Sequence, residues 1–231
     1  MSEQLRICLV GATGLVGRTL IEQAVGRWDL RIVGVARREM PLPKGARMEM
    51  LIAPADGWPD AIAASGASVM VCALGTTWAK AGKDEAAFRS VDQELVLAAA
   101  RAAKAAGINR MIAVSSAGAD ILSKNRYLRI KGETEEALGK IGFKRLDILR
   151  PGLLRGRREE VRVLEGLAML LAPLIDPLLS GSWRRFHSIR VEVLAQAIFA
   201  LAREKAGGRF VHDYDSLLRA IRRAGIDTLR G

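Results

Sequence analysis

Short apolar runs alternate with longer amphipathic stretches along the first two thirds of the chain. Short runs bounded by glycine or polar residues are typical of buried strands, and apolar residues repeated every three or four positions are typical of helices. This alternation predicts an α/β fold, a doubly wound parallel sheet with helices on both faces, whose ligands bind beyond the carboxyl ends of the strands. The predicted strands cover residues 5–10, 30–36, 47–53, 68–74, 110–116 and 145–152, and the predicted helices cover residues 15–25, 58–64, 84–107 and 125–142.

The alternation stops after residue 152. Residues 163–179 are strongly apolar, but two acidic residues and two prolines interrupt them, which argues against a transmembrane segment. A core segment, a lid over a substrate, a dimer face and a membrane-contacting patch remain open, with core or lid the simplest choice. Residues 191–207 predict one more helix. We therefore expect a single domain over residues 1–231, in which residues 153–190 form a small substrate or lid lobe.

A glycine-rich turn joins the first predicted strand to the first predicted helix. Residues 10–17 read VGATGLVG, which places Gly11, Gly14 and Gly17 at the spacing of a dinucleotide-binding turn rather than of a plain loop. Gly11 would allow a sharp turn, Gly14 the approach of a pyrophosphate, and Gly17 close packing of the helix. Unpaired N–H groups at the start of that helix favour an anion. The residues expected to bind the dinucleotide here are Gly11, Ala12, Thr13, Gly14, Leu15 and Val16.

The end of the second predicted strand indicates which dinucleotide is bound. Sites for NAD usually place an acidic residue there, about 20 residues beyond the glycines. This chain instead has Arg37 and Arg38. Two guanidinium groups suit the 2′-phosphate of NADP(H) through charge and paired hydrogen bonds. We therefore expect NADP(H) rather than NAD(H); the alternative is a pair of surface arginines that bind no ligand.

The fourth predicted strand ends in the small and polar residues ALGTT, 73–77. Gly75 permits a close approach between backbone and ligand. Thr76 and Thr77 carry hydroxyl groups that can form hydrogen bonds. We expect Leu74, Gly75 and Thr76 to lie along the cofactor.

A serine pair and a Tyr-xxx-Lys pattern follow in the next strand–helix unit. Ser115 and Ser116 end the fifth predicted strand, at the same edge of the sheet as the glycine turn. Tyr127 and Lys131 are four residues apart in a predicted helix and therefore share a face. They could be an ordinary solvated pair, but beside a cofactor turn they suit acid–base chemistry, because a nearby ammonium group favours the phenolate form of tyrosine. Ser116, or less readily Ser115, could donate a hydrogen bond to a carbonyl oxygen.

These features together resemble the short-chain dehydrogenase/reductase superfamily. The runs CALGTTWAKAG (72–82), FRSVDQELVLAAARAAKAAG (88–107), SSAGAD (115–120), YLRIKGETE (127–135) and LRPGLLRGRRE (149–159) resemble its atypical branch of Tat-interacting-protein oxidoreductases. The resemblance covers residues 5–160 well and implies a Rossmann domain that binds NADPH. It implies Tyr127 as general acid, Lys131 at the nicotinamide ribose, Ser116 at the substrate carbonyl and Pro151 near the nicotinamide. Proteins of this branch are described mainly as regulatory or partner-binding.

The composition of the chain narrows the possible classes of function and partner. The 231 residues are half hydrophobic, enough for one large domain, and the formal net charge of +11 is spread widely. Aromatic residues are not interleaved with the basic ones, so we find no nucleic-acid signature and expect a solvated basic surface with a pocket for phosphates. Cys8 and Cys72 lie in apolar runs, which predicts buried thiols in a reducing cytoplasm. The first residues do not resemble a signal peptide.

No metal site is expected, because no cluster of histidine, cysteine and carboxylate residues has metal-site spacing. His187 and His212 are interpreted as structural or surface residues.

Three functions remain open. The first is an NADPH-dependent oxidoreductase acting on a small or lipophilic carbonyl compound, and the second is an NADPH-binding regulatory or partner-binding protein with little turnover. The third, a nucleotide-sugar epimerase or reductase, is less favoured because only residues 152–231 remain for a substrate domain. The expected partners are a small-molecule substrate and, for the second function, a protein; the chain is expected to be a monomer or a homodimer.

Overall fold

The short apolar runs form the strands of a central sheet. The computed structural model describes residues 4–156 and 181–226. Its strands are Leu5–Val10 (β1), Leu30–Ala36 (β2), Glu49–Ile52 (β3), Val69–Cys72 (β4), Arg110–Val114 (β5), Arg145–Leu149 (β6), Leu154–Arg155 (β7), Ile189–Arg190 (β8) and Gly208–His212 (β9). Seven of them form one parallel sheet in the order β3-β2-β1-β4-β5-β6-β9, while β7 and β8 pair separately. The strand order reverses between β1 and β4, which is where a doubly wound sheet binds its ligand.

The helices connect the strands and cover the sheet. They are Leu15–Ala24 (α1), Trp58–Ala64 (α2), Glu85–Arg89 (α3), Val96–Ala105 (α4), Arg126–Gly139 (α5), Val191–Leu201 (α6) and Tyr214–Arg223 (α7). A π-helical turn, Ser90–Leu95, joins α3 to α4, and 3-10 turns cover Ala55–Gly57 and Gly181–Phe186.

Both faces of the sheet are buried, which explains why its strands are continuously apolar rather than alternating. Ile7 and Leu9 of β1 belong to the core beneath α1, α6 and α7. Cys8 and Val10, one residue out of phase, belong to the core beneath α2, α4 and α5. Helices packed on both faces therefore support the carboxyl edge of the sheet, where the predicted ligand site lies.

Side-chain caps begin three of the helices. Asp84, Asn125 and Asp213 precede α3, α5 and α7 and accept backbone N–H hydrogen bonds at 2.7, 3.3 and 2.9 Å. Helix α1 begins differently, because Gly14 stands at its cap position and supplies no side-chain hydrogen bond. The first N–H groups of α1, like those of α2, α4 and α6, thus lack a side-chain acceptor.

The predicted fold class is confirmed: the sheet is parallel, doubly wound and of Rossmann strand order. The predicted helix over residues 84–107 is interrupted by the π-helical turn, which the sequence analysis missed. The strand β9 and the helix α7 were also missed. Strand β9 is short and largely exposed at the sheet edge, so its five residues carry little of the apolar signal that marked the central strands.

The predicted substrate or lid lobe over residues 153–190 lies largely outside the described residues, as does the whole apolar segment 163–179. The described ends of the predicted lobe contain β7, β8 and the 3-10 turn Gly181–Phe186. The lobe and the single-domain division stay predictions. Within residues 4–156 and 181–226, we find no helix with the length and apolar character needed to cross a membrane.

A buried ion cluster ties β6 to β9. Arg145 Nε lies 2.6 Å from Asp147 Oδ2, and His212 Nε2 lies 2.8 Å from Asp147 Oδ1. All three side chains are buried. Within this cluster, the Asp147 carboxylate is the one counter-ion of the Arg145 guanidinium. Arg145 also donates a hydrogen bond to the Ala206 carbonyl at 2.7 Å.

We predict that Asp147→Asn lowers the free energy of unfolding by about 3–5 kcal/mol, because removing one partner leaves a buried charge without its counter-ion. Urea unfolding followed by circular dichroism measures this change. The control is Glu136→Gln, which removes an exposed ion pair with Lys140 on α5 and should change stability little. Equal losses in the two variants would contradict a special role for the buried cluster.

Candidate functional site

The glycine turn has a geometry that side chains would block. Gly11 has a φ of +91°, and a Cβ added there would lie 2.5 Å from the carbonyl carbon of Ala73. A Cβ on Gly17 would lie 2.7 Å from the Cα of Ala12 and would clash with the Gly11 carbonyl oxygen. The first turn of α1 therefore packs directly on the glycine loop, as a tight dinucleotide turn requires.

The start of α1 is suited to an anion. Gly14, at the cap position, is exposed and leaves the N–H groups of the first turn without a side-chain acceptor. Ala12 and Val16 are buried, so they can offer a ligand only backbone atoms. Thr13 is half-buried, and its carbonyl accepts a 3.1 Å hydrogen bond from Arg18 Nε. Leu15 is the first residue of the helix. This uncapped helix start and the glycine cradle together fit a diphosphate.

Arg37 and Arg38 follow directly after β2, which ends at Ala36. Strand β2 pairs with β1, with Val35 opposite Val10, so both arginines emerge at the same edge of the sheet as the glycine turn. Both side chains are exposed. Across residues 4–156 and 181–226 neither guanidinium is engaged in a hydrogen bond or an ion pair, which leaves both available to an anionic ligand.

The side chains of Asp92 and Lys131 support the loop after β4. Thr76 donates its backbone N–H to Asp92 Oδ2 at 2.7 Å. A Cβ added to Gly75 would lie 3.3 Å from Asp92 Oδ1 and 3.8 Å from Lys131 Nζ. Leu74 packs its half-buried side chain on the core beneath α4 and α5. The backbone at residues 75 and 76 therefore lies directly on the side chains of Asp92 and Lys131.

Lys131 and Asp92 form a buried ion pair. The Nζ–Oδ1 distance is 2.6 Å, and the two residues are only 7% and 1% exposed. Burial alone would lower the pKa of Lys131, but the Asp92 carboxylate, together with Tyr127 and Cys72, outweighs that effect and holds this pKa above its ordinary value. Lys131 is therefore a cation at neutral pH.

Asp92 was missed by the sequence analysis. It comes four residues after Phe88 and four before Val96, and both of these side chains are buried. An acidic residue on an apolar helical stripe is a signal of a paired charge in the interior, since carboxylates are almost never buried alone. The partner is not in the same helix, so spacing within the helix does not reveal it.

The two serines have different environments. Ser115 Oγ donates a 2.5 Å hydrogen bond to Glu135 Oε1, and Glu135 also accepts hydrogen bonds from Arg150 Nε at 3.0 and 3.1 Å. Ser116 is half-buried, and its hydroxyl makes only a 3.3 Å contact with the Ala117 carbonyl. Ser115 is thus committed to a buried cluster, whereas Ser116 is the serine left for a ligand.

Tyr127 lies in the first turn of α5, one turn above Lys131 and on the same face. Its ring is half-buried against Phe88, with 5.3 Å between ring centroids, and Phe88 packs in turn on Trp78 at 5.6 Å. Tyr127 also contributes to the raised pKa of Lys131 through its charge interaction with it, although less than Asp92 does. The aromatic contacts fix the ring while leaving part of it accessible.

The remaining residues from the sequence analysis lie as follows. Pro151 is buried just beyond β6, and its carbonyl accepts a 2.8 Å hydrogen bond from the Ala117 N–H. The ring of His187 packs on Tyr214, while His212 belongs to the buried ion cluster with Asp147.

Two further observations bear on the chemistry of the site. Cys8 and Cys72 are free and buried, and burial raises the pKa of each thiol to about 11, so neither is a thiolate nucleophile at neutral pH. Among the described residues no group of three or more histidine, cysteine or acidic residues could hold a metal ion.

Comparison with known proteins identifies related sequences. The profile of a family described as NAD(P)H-binding matches residues 11–166, more than half of the chain. The protein "fmp52, mitochondrial" of Emericella nidulans is 34% identical over 173 residues, which cover 72% of this chain and 74% of that protein. The protein "FMP52, mitochondrial" of Eremothecium gossypii is 37% identical over 153 residues, covering 65% and 67%.

Solved structures share the fold at low identity. The UDP-glucose 4-epimerase of Thermus thermophilus in complex with NAD has a TM-score of 0.67 and 18% identity, covering 96% of this chain and 84% of that one. The enzyme WbmG of Bordetella bronchiseptica in complex with NAD has a TM-score of 0.67 and 14% identity, covering 98% and 80%. The family match shows that the chain belongs to an NAD(P)H-binding family, and these neighbours share the predicted Rossmann fold. The finer resemblance to Tat-interacting-protein oxidoreductases stays a prediction.

One prediction from the sequence is wrong in the light of these relatives. The chain was expected to be cytoplasmic, because of its two buried thiols. The curated relatives are instead named as mitochondrial. Unpaired cysteines indicate a reducing environment and do not distinguish one such environment from another, which is why the inference failed.

We predict that Gly17→Ala destabilises the protein by about 1–3 kcal/mol, as overpacking does, and greatly weakens NADPH binding, because the new methyl group displaces the Gly11 carbonyl. Urea unfolding and NADPH fluorescence titration measure the two effects. The control is Gly107→Ala, whose Cβ would meet open space at a φ of +82°. It should cost about 1 kcal/mol of stability and leave NADPH affinity unchanged. Unaltered binding by Gly17→Ala would contradict the role assigned to the turn.

Proposed function

The chain belongs to the NAD(P)H-binding family, and from this premise we propose that it is an NADPH-dependent oxidoreductase that acts on the carbonyl group of a small molecule. One observation carries the proposal: the cationic Lys131 lies against Gly75 at the edge of the sheet where the glycine turn begins, one helical turn below Tyr127. This arrangement puts a proton donor and its supporting cation beside the cofactor turn.

Arg37 and Arg38 support NADPH over NADH as the cofactor. They are exposed, free of other partners within the described residues and next to the glycine turn along the edge of the sheet. A 2′-phosphate would supply the anion that these guanidinium groups lack. The glycine cradle and the uncapped start of α1 would hold the diphosphate. Leu74, Gly75, Thr76 and Pro151 would line the remaining cofactor surface.

NADPH, when bound, supplies the hydride for the carbonyl carbon. Ser116 would donate a hydrogen bond to the carbonyl oxygen and so stabilise the negative charge that develops there. Tyr127 would donate its phenolic proton to that oxygen as the general acid. Lys131, kept cationic by Asp92, would favour the phenolate that remains on Tyr127 and could donate to a ribose hydroxyl. Solvent would then return a proton to Tyr127.

A specific observation favours a second candidate, an NADPH-binding regulatory protein with little turnover. The charge of Lys131 is balanced by Asp92 at 2.6 Å, so less of its field acts on the Tyr127 phenol than an unpaired ammonium would provide. The third function, epimerisation of a nucleotide sugar, has no such support here, since the epimerase neighbours are under 25% identical and establish the fold alone.

We predict that Arg37→Ala/Arg38→Ala weakens NADPH binding by about 10- to 100-fold, the worth of a charge-assisted hydrogen bond, with little effect on NADH. Fluorescence titration with each nucleotide measures the two affinities. The matched control is Arg222→Ala/Arg223→Ala, which removes the same charge from exposed positions of α7. Proportional loss of NADPH affinity in both double variants would show a general charge effect and contradict a 2′-phosphate site.

We predict that Tyr127→Phe reduces carbonyl reduction by about 10²- to 10⁴-fold while NADPH affinity stays near wild type, because only the transferable proton is lost. NADPH oxidation across a panel of carbonyl compounds measures the rate. Tyr214→Phe is the control, since Tyr214 is the one other tyrosine in the chain and packs on His187. A wild-type chain that binds NADPH tightly but reduces none of the panel would favour the regulatory function.

A further inference from the structure

A π-helical turn, Ser90–Leu95, interrupts the helix between β4 and β5. Such turns are rare and often occur at functional sites. Within this turn Asp92 is the one buried residue. It is flanked on the same apolar stripe by the buried side chains of Phe88 and Val96, at positions where an aliphatic residue would pack equally well.

Asp92 contacts two other elements of the site through three of its oxygen atoms. Oδ2 accepts the backbone N–H of Thr76 at 2.7 Å, and Oδ1 lies 2.6 Å from Lys131 Nζ. Its backbone carbonyl accepts a 3.2 Å hydrogen bond from the hydroxyl of Thr134, which lies three residues beyond Lys131. One residue therefore joins the loop after β4 to helix α5.

Stability alone does not account for this carboxylate. Burying two charges costs several kcal/mol per ion, and replacing a buried ion pair by apolar residues is often neutral or stabilising. The benefit of this ion pair must then come from the groups that it positions. What it arranges is the backbone at Gly75 and Thr76 and the ammonium group of Lys131, which are two of the surfaces assigned above to the cofactor.

We propose that Asp92 is a positioning residue for the cofactor site: it fixes Lys131 and the backbone of residues 75–76 in one geometry, so that both face the nicotinamide half of NADPH together. This inference rests on the proposed function. It assigns to Asp92 no contact with substrate or cofactor, because the residue is 1% exposed, its Oδ2 accepts the Thr76 N–H and its Oδ1 faces the Lys131 ammonium group.

Few groups can compensate for the loss of the Asp92 charge. Three groups face the ammonium group of Lys131. They are Asp92 on the π-helical turn, Tyr127 on the same helix as Lys131, and the thiol of Cys72 on β4. Glu135 shares with Lys131 the lining of a small cavity of about 10 Å³, but the hydrogen bonds of its carboxylate go to Ser115 and Arg150. Among the described residues, Asp92 is thus the one carboxylate in an ion pair with Lys131.

The direction of the pH effect follows from this. In the wild type the carboxylate holds the pKa of Lys131 above its ordinary value. Asp92→Asn keeps an oxygen for the Thr76 N–H but removes the main charge that opposes burial, leaving only the smaller effects of Tyr127 and Cys72 against it. Burial lowers the pKa of an ammonium, so the pKa of Lys131 should fall in this variant. As the pH rises through that lowered pKa, the variant loses the cation, whereas the wild type keeps it.

The experiment measures the affinity of the purified full chain for NADPH by fluorescence titration from neutral to alkaline pH, together with urea unfolding. The proteins are the wild type, Asp92→Asn, Asp92→Glu and, as a matched control with another buried and paired aspartate, Asp147→Asn. We expect Asp92→Asn to bind about tenfold more weakly at neutral pH and progressively more weakly as the pH rises, while wild-type affinity stays flat. Asp147→Asn should be less stable yet bind NADPH with the wild-type pH profile.

Asp92→Glu keeps the charge but displaces it by one methylene group. It should show an affinity about tenfold weaker than wild type with the flat pH profile restored, since misplacement alone impairs a positioned group. If Asp92→Asn does not fold, Asp92→Glu decides the matter: wild-type affinity in this variant overturns the proposal. Binding by Asp92→Asn that equals the wild type at every pH also overturns it. A wild-type chain that binds no NADPH removes the proposed function and this inference with it, and is distinguishable from the other two results.

Discussion

Lys131 and Asp92 place two opposite charges in the interior, directly beneath the edge of the sheet where the ligand-binding loops meet. Neither charge is tolerable there alone, because removal from water costs an ion several kcal/mol. Each therefore constrains the elements that carry the other: α5, the π-helical turn and the loop after β4 must stay in register for the 2.6 Å contact to exist. The protein can therefore fold with both charges paired only if these three elements adopt the geometry seen at the site.

The glycine turn supplies a second, steric constraint at the same edge. Gly11 adopts a positive φ against Ala73, and Gly17 lies against the Gly11 carbonyl, so the first turn of α1 is pressed onto the loop. The ion pair fixes the part of the edge proposed for the nicotinamide, and the glycine turn fixes the part proposed for the diphosphate. Between them lie β1 and β4, which pair in parallel across the reversal of strand order. A rigid pair of adjacent strands thus holds the two halves at a set spacing.

Sequence patterns predicted the features that depend on local chemistry. The strand–helix alternation was sufficient for the fold class, and Tyr127 and Lys131 could be placed on one face from their spacing alone. Features that depend on tertiary pairing were missed: Asp92 finds its partner 39 positions later, at Lys131, and Glu135 distinguishes Ser115 from Ser116 through a contact between a strand end and a helix. Strand β9 was missed because an exposed edge strand needs no continuous apolar run.

The protonation chemistry of the site follows from an asymmetry between its two central groups. Lys131 is buried and bonded to Asp92, while Tyr127 is partly accessible one helical turn above it. An ammonium group has three N–H donors, and in the proposed cofactor complex those not directed at Asp92 could donate to ribose hydroxyls. With its pKa raised by that carboxylate, Lys131 holds its proton at neutral pH and acts as a fixed charge rather than a proton donor. In the proposed mechanism, the proton that Tyr127 donates would therefore be replaced from solvent, so access of water to Tyr127, and not titration of Lys131, would control how the general acid is regenerated.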